Sequence, residues 1–199
     1  MRIYSLLAML LTVPGLALAG NLVQDPGFEN ATLSPWVSAG HPWGVDTANS
    51  HTGSNSAGTG CAGVNCITAD PDPFGAWLYQ DLTTTSTSYV LSFWIGLRGT
   101  TGGTIPNELK VLWDGVQVFD VQNLGNTPFQ QYSVNVIATA STTRLEFLGR
   151  NDPNVIDLDD VSVDETSSIP TPGVPEPSSW MLAGLGLTGA ACWKRRSTC

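Results

Sequence analysis

Residues 109–121 read LKVLWDGVQVFDV and carry the clearest structural signal in this 199-residue chain. Leu109, Val111 and Trp113 fall on one face of a strand, because side chains alternate with a period of two. Asp114–Gly115 follows, a dipeptide that favours a type I′ turn since both residues accept a positive φ. A second alternating segment comes directly after it. The stretch therefore predicts a β-hairpin with Leu109, Val111 and Trp113 in the core.

The rest of segment 21–165 continues this pattern. It is rich in Thr, Ser, Gly and Asn, and turn signals recur about every ten residues. No long period of 3.6 residues appears, so helices are not expected. In YVLSFWIGLRG the buried face of the predicted strand carries Leu91, Phe93, Ile95 and Leu97. Further strands are predicted at WLYQDL, QYSVNVIA, TRLEFLG and IDLDDVSV. The segment is therefore predicted to be all-β, with about eight strands in two sheets.

Six segments in order resemble the galactose-binding-like jelly rolls of carbohydrate-binding modules. They are NLVQDPGFENATLSPW, HTGSNSA, LYQDL, SYVLSFWI, LKVLWDG and FLGRNDPNVIDLDDVSV. This resemblance covers nearly all of the predicted domain and implies a jelly-roll β-sandwich. In such proteins a structural calcium ion frequently ties the first strand to the last, and some members bind sugar on the concave face or in edge loops.

The resemblance places calcium ligands at Glu29 and Asp160, with Asp25 and Asp159 as helpers. Calcium prefers six to eight hard oxygen ligands, so carboxylates and backbone carbonyls from both ends of a domain suit it. The alternative is that these residues are solvated edge carboxylates, which discourage aggregation between strands. Alternation along IDLDDVSV sends Asp159 and Asp160 to opposite faces.

A sugar site needs an exposed aromatic face and a few polar groups. We expect Trp43 to be the most exposed tryptophan, because it lies between Pro42 and Gly44 in a loop-like stretch. Trp94 and Arg98 are the other two predicted ligand-binding residues. The alternative for each tryptophan is a packing role under a loop or on a sheet. The wider set of candidates also includes Trp36, Trp77, His41, Arg150 and Asp152.

Cys61 and Cys66 are five residues apart in a glycine-rich stretch that can close a small disulfide loop. Pairing is expected if the domain is exported, since extracytoplasmic compartments are oxidising. A metal pair is the alternative, but no second Cys or His pair stands at zinc spacing. Cys192 and Cys199 belong to the C-terminal tail.

The first 19 residues are typical of a secretory signal peptide. Arg2 supplies a positive charge, an apolar core follows, and Ala17-Leu18-Ala19 precedes Gly20 as a small-residue cleavage site. An uncleaved membrane anchor is the alternative, although the core is short for one. The remaining chain up to the tail holds all 17 acidic residues and four basic ones, a net charge of −13. Such acidity argues against nucleic acid as a partner.

The end of the chain has three parts. SSIPTPGVPEP is rich in proline and predicts an extended stalk over 166–177. An uncharged apolar stretch follows and predicts a short transmembrane helix within 178–199. Basic residues follow this apolar stretch and predict that the C-terminus lies in the cytoplasm. A buried helix of the domain is the alternative. The residues that define the pattern are Pro175, Glu176, Pro177, Lys194, Arg195 and Arg196.

This tripartite end resembles the PEP-CTERM sorting signal of exported bacterial proteins. The resemblance implies that a membrane-embedded, exosortase-type transpeptidase recognises the tail and cleaves near the Pro-Glu-Pro triplet. The protein would be held in the inner membrane before processing and then reach the cell surface or the extracellular matrix. Exopolysaccharide is a candidate partner, because such proteins are associated with cells that make it.

The sequence therefore predicts a signal peptide over 1–19, a jelly roll over 20–165 and a sorting signal after the stalk. The predicted function is that of an exported, non-catalytic surface or matrix protein. A carbohydrate-binding, lectin-like module is the first alternative. A secreted hydrolase is the second, but no identifiable carboxylate pair or GxSxG nucleophile motif supports it.

Overall fold

The computed structural model describes residues 20–68, 74–85, 87–98, 107–151 and 154–166. The signal peptide, the sorting residues and the C-terminal helix that the sequence predicts lie outside these residues, and so does Asp152. In the part of the chain that is described, no helix is long and apolar enough to cross a membrane.

Two antiparallel sheets of five strands each form a β-sandwich in the described residues, so the predicted fold class is confirmed. The first sheet has the order β1-β4-β9-β6-β7, and the second has the order β2-β3-β10-β5-β8. The strands of the first sheet are β1 (Val37–Gly40), β4 (Ala76–Thr83), β6 (Glu108–Trp113), β7 (Val116–Gln122) and β9 (Thr142–Arg150). Those of the second are β2 (Gly44–Asp46), β3 (Ser56–Thr59), β5 (Ser88–Arg98), β8 (Gln130–Ile137) and β10 (Val155–Glu165).

The predicted hairpin forms between β6 and β7. Asp114 and Gly115 both have positive φ, at 52° and 77°, which is the type I′ conformation. Leu109, Val111 and Trp113 are at most 4% exposed, and so they belong to the core as predicted. The second predicted strand, β5, also buries its expected face, since Leu91, Phe93, Ile95 and Leu97 are at most 3% exposed.

The prediction that Trp43 is exposed is wrong. Its side chain is 2% exposed, and the indole N–H donates to the carbonyl oxygen of Ala76 at 2.9 Å. The ring packs directly over Gly149, where the absence of a side chain leaves room for it. A large apolar ring gains more from this burial than from contact with water, even beside a proline and a glycine. Trp36 is buried as well, with its indole N–H bonded to the carbonyl of Asp25.

Replacing Gly149 with alanine is expected to destabilise the fold by about 1–3 kcal/mol, because the new methyl group overpacks the core. A Cβ atom there would lie 2.7 Å from Cζ2 of Trp43 and 2.8 Å from Cγ2 of Thr59. Denaturant unfolding measures the effect. Gly125→Ala is the matched control, since its Cβ would meet nothing closer than 3.9 Å. Equal midpoints for the two variants would contradict this packing.

Candidate functional site

The outer face of the first sheet carries a pair of aromatic rings. In β4, Leu78 and Leu82 point into the core, so alternation directs Trp77 and Tyr79 to the outside. Their ring centroids are 5.7 Å apart, with planes tilted by 31°. Trp77 is 8% exposed and Tyr79 is half-buried, which shows that the rings sit among neighbouring side chains.

The sheet register places charged and apolar side chains beside these rings. Tyr79 pairs with Glu146 of β9, which in turn pairs with Leu112 of β6. Trp77 pairs with Leu148, which pairs with Lys110. We call this surface the aromatic face. Its members are Trp77, Tyr79, Lys110, Leu112, Arg144, Glu146 and Leu148. Trp77, Leu112, Glu146 and Leu148 are at most 9% exposed, so Tyr79, Lys110 and Arg144 form its accessible part.

Arg144 connects the aromatic and charged parts of the aromatic face. Its guanidinium carbon lies 3.8 Å from the centroid of the Tyr79 ring, a cation–π contact. Its Nε donates to Asp81 Oδ1 at 2.8 Å, which fixes the guanidinium over the ring. The side chain stays 33% exposed, so it remains accessible to a ligand. A platform of this kind, with hydrogen-bonding groups at its border, is chemically suited to stack against a sugar ring.

A buried ion network closes one end of the aromatic face. Glu108, 2% exposed, binds Arg150 at 2.5 Å and Lys110 at 3.1 Å. Arg150 was a sequence candidate for sugar contact, but it is 4% exposed and is engaged by this carboxylate. The network therefore positions Lys110 on the face, and Arg150 has a structural role within it.

The Cys61–Cys66 disulfide forms as predicted, with a Cα–Cα distance of 5.8 Å. It encloses the start of a short 3-10 helix, Val64–Ile67, which packs against β4, β6 and β9. Cys61 and Cys66 are both buried, and they pack with Ala76, the neighbour of Trp77. The disulfide loop is thus fixed beside the strands that bear the aromatic face. His41 lies in this region too, and its backbone N–H donates to Gly75 O at 2.9 Å.

Trp94 and Arg98 lie together on the outer face of the second sheet, away from the aromatic face. Arg98 is bound by the carboxylates of Asp46 and Asp157, with its Nε 3.0 Å from Asp157 Oδ2. Trp94 stacks against the ring of His51, with centroids 3.6 Å apart. Both predicted ligand-binding side chains are therefore engaged: Arg98 joins β2 to β10, and Trp94 holds His51 of the β2–β3 loop on this sheet.

Asp159 is the main attachment point of that loop. It is fully buried, and its Oδ2 accepts the backbone N–H groups of His51 at 2.7 Å and Thr52 at 3.2 Å. Asp160 also contacts the loop, through His51 Nδ1 at 2.6 Å and Thr52 Oγ1 at 2.7 Å. The expectation that these two aspartates face opposite ways is wrong. The pairing of β10 shifts register after Asp159, and Asp160 has a φ of 45°, which turns both carboxylates toward one loop.

Burial raises the pKa of Asp159 to about 6, although the backbone N–H groups that it accepts oppose this. Folding therefore takes up a proton at this site between about pH 4 and 6, so the contribution of Asp159 to stability falls as pH rises through 6. We expect wild type, melted in EDTA, to lose up to about 3 kcal/mol relative to Asp159→Asn over that range.

The matched control for this titration is Glu165→Gln on the exposed end of β10, which should keep the wild-type pH profile. Burial also raises the pKa of Asp157, so a smaller slope of the same sign should persist in Asp159→Asn. If the free energy of unfolding of wild type minus that of Asp159→Asn stays flat or rises with pH, the buried state of this carboxyl is contradicted.

The predicted calcium ligands lie at the corner where the 25–29 turn meets β10. Glu29 Oε1 accepts the N–H groups of Ser54 at 2.9 Å and Asn55 at 3.0 Å. A Cβ atom on Gly27 would lie 3.5 Å from Asp160 Oδ1 and 3.7 Å from Asp159 Oδ1. Asp25 Oδ2 is buried without a hydrogen-bond partner. Among the described residues, no three His, Cys, Asp or Glu side chains are grouped to hold a metal ion.

Sequence reasoning missed most of the aromatic face. The sequence pattern offers Trp77 as a candidate, but it does not point to Tyr79, Arg144 or Glu146. The available signal was the outward face of WLYQDL, where Trp77, Tyr79 and Asp81 alternate with the buried leucines. The contribution of Arg144 and Glu146 depends on the pairing of β4 with β9, which a single strand pattern does not reveal.

The fold is similar to that of several carbohydrate-binding modules. TmCBM61, solved in complex with β-1,4-galactotriose, is 18% identical, with a TM-score of 0.56 over 73% of this chain and 99% of that one. The CBM22-1 xylan-binding domain of Paenibacillus barcinonensis Xyn10C is 16% identical, with a TM-score of 0.55 over 75% and 97%. The K1 adhesin domain of Porphyromonas gingivalis Lys-gingipain is 18% identical, with a TM-score of 0.50 over 70% and 96%. At these identities the likeness establishes the fold alone.

The end of the chain gives a more specific match. Residues 173–196 match the PEP-CTERM protein-sorting motif, and so the resemblance of the tail to this signal is confirmed. In a comparison of whole sequences, no curated protein matches the chain.

Proposed function

We propose that this is an exported protein, sorted through its C-terminal signal, whose β-sandwich is a non-catalytic glycan-binding module. The sorting part rests on the match of residues 173–196 to the PEP-CTERM motif. The binding part rests on the aromatic face, and above all on the Tyr79 ring with Arg144 fixed beside it.

The sorting route follows from the order of segments along the chain. The leader directs export, and the apolar stretch after Pro177 holds the protein in the inner membrane. An exosortase-type transpeptidase then acts near the Pro-Glu-Pro triplet and delivers the sandwich to the cell surface or matrix. The Cys61–Cys66 disulfide is consistent with this oxidising destination.

The chemistry of the aromatic face favours a neutral glycan. Apolar ring faces contact the C–H faces of sugars, while the charged groups at the border hydrogen-bond to hydroxyls. The strongly acidic chain disfavours polyanions. TmCBM61 was solved with a β-1,4-linked galactotriose and the CBM22-1 domain is named as xylan-binding, so β-1,4-linked polysaccharides are the first ligands to examine.

The non-catalytic part of the proposal is supported by how the acidic groups of the aromatic face and of its border are used. Glu146, the acidic member of the face, is 4% exposed. Asp81 holds Arg144, and Glu108 is buried between Arg150 and Lys110. Glycosidases need two carboxyl groups that face a bound sugar from opposite sides. Carboxylates that form ion pairs with basic neighbours are better suited to positioning those neighbours than to catalysis at a bound sugar.

Calorimetric titration of the purified protein with soluble β-1,4-galactan and xylan tests the binding. Saturable binding of one of these, with no release of reducing ends, is the expected result. An absence of binding to these glycans and to a wider glycan array would contradict the binding proposal. Release of reducing sugars would contradict the non-catalytic part.

We also propose a structural calcium ion held by Glu29 and Asp160, with backbone carbonyls completing its shell. The orphaned Asp25 Oδ2 and the convergence of Asp159 and Asp160 on Gly27 support a cation at this corner. When bound, the ion would supply positive charge that ties the 25–29 turn to β10.

Calcium is therefore expected to raise the melting temperature of the protein over that in EDTA, in a concentration-dependent way. Glu29→Gln should abolish this rise, and magnesium should produce much less of it because it demands a smaller octahedral shell. Asp164→Asn is the control: Asp164 lies in β10 beyond Asp160, and the variant should respond to calcium like wild type. Identical melting temperatures in calcium and EDTA would contradict the proposal.

A further inference from the structure

β8 is an edge strand of the second sheet without the usual protection of edges. Strand edges expose unpaired N–H and C=O groups, and proteins protect them with short length, charges or bulges. β8 has eight residues, Gln130–Ile137, and pairs with β5 without a register shift. Among the described strands, none pairs with its other side.

The other three edges of the described sandwich are protected. β1 has four residues, and β2 has three, one of which is Asp46. β7 carries Asp120, and its pairing with β6 is interrupted by a bulge. β8 differs from all of these in being long, regular and uncharged.

The absence of charge extends well beyond β8. Residues 121–143 contain no Asp, Glu, Lys or Arg, although the chain as a whole has a net charge of −9. On the outer face, β8 is bordered by Val90, Ser92 and Trp94 of β5, which are uncharged as well. A second acidic molecule can approach this edge with less repulsion than elsewhere on the sandwich.

The hydrogen-bond pattern shows which backbone groups face outward. Ala138 N–H donates to Thr87 O at 3.0 Å, so alternation along the antiparallel ladder directs the backbone groups of Gln131, Ser133 and Asn135 away from β5. These three residues are exposed, as is the Ile137 side chain at 65%. The edge therefore offers a regular set of donors and acceptors with an apolar residue at its end.

We infer that β8 pairs with β8 of a second copy of this chain, antiparallel about a two-fold axis. Such an interface is self-complementary, because each copy offers the same uncharged edge. The two five-stranded sheets would then join into one of ten strands. The aromatic face, which lies on the other sheet, would be present twice, so the dimer would bind a polymeric ligand at two points.

Sedimentation velocity of the full chain in detergent tests this inference. Wild type is expected to dimerise with increasing concentration, and Ser133→Lys to weaken dimerisation by about tenfold or more, because two lysines meet near the axis. Ser133→Glu should weaken it similarly. Mixing Ser133→Lys with Ser133→Glu should restore a dimer, which also shows that both variants are folded.

Gln117→Lys on the edge strand β7 is the matched control and should dimerise like wild type. Three outcomes would overturn the inference. The first is a wild type that stays monomeric at all concentrations. The second is a Gln117→Lys variant whose dimerisation is weakened as much as that of Ser133→Lys. The third is a mixture of the two Ser133 variants that stays monomeric. The last two would assign any association to other parts of the chain, such as the apolar tail.

Discussion

Replacing Tyr79 with alanine is expected to weaken glycan binding by at least about 30-fold, because truncation of a central aromatic contact costs about 2 kcal/mol or more. Tyr79 forms the accessible part of the aromatic pair and supports the Arg144 guanidinium at 3.8 Å. The accessible platform consists of the Tyr79 ring and the guanidinium that lies over it, so the substitution removes the ring and leaves Arg144 without its support. Calorimetric titration with the best glycan of the panel measures the loss.

Two variants separate this effect from unfolding and from a site elsewhere. Tyr79→Phe keeps the ring and should bind within about threefold of wild type, since stacking does not need the hydroxyl group. Trp94→Ala alters the outer face of the second sheet and should leave affinity unchanged in protein that remains folded. Loss of binding in Trp94→Ala with retention in Tyr79→Ala would place the glycan on the second sheet, against the proposal.

Disrupting the Pro-Glu-Pro triplet is expected to block processing almost completely. The triplet and the apolar and basic segments form one motif over 173–196. In the proposed sorting route, the processing enzyme recognises the chain through that motif. With Pro175, Glu176 and Pro177 all changed to alanine, the chain should accumulate in the inner membrane at its full C-terminal length. Immunoblots of membrane and surface fractions measure the redistribution.

The control for the triplet variant is Glu165→Ala. It removes one carboxylate from the exposed end of β10 without touching the motif, so it should be processed like wild type. Normal surface delivery of the triplet variant would contradict recognition through these residues.

The sequence was most informative where local chemistry determines structure. The Asp114–Gly115 turn and the alternation around it specify a hairpin without help from the rest of the chain. β5 is similar, because its four buried residues follow one another at a period of two. The sandwich could thus be predicted, since strands of this kind need a second sheet to bury their apolar faces.

The parts that were missed depend on contacts between distant segments. β1, β2 and β3 read VSAG, GVD and SAGT, which lack an apolar alternation, and they are strands because neighbouring strands pair with them. Trp43 looked exposed in its own segment, but the space above Gly149 is created by a strand about a hundred residues later. The aromatic face arises in the same way, from the register of β4, β9 and β6.

Delivery of the sandwich by its C-terminal signal is the central proposal, and mass spectrometry of the mature protein reveals whether the signal has been removed. Protein recovered from the cell surface should have lost residues 178–199 and should end near the triplet Pro175-Glu176-Pro177. A surface protein that retains an intact Cys199 would contradict processing through this signal.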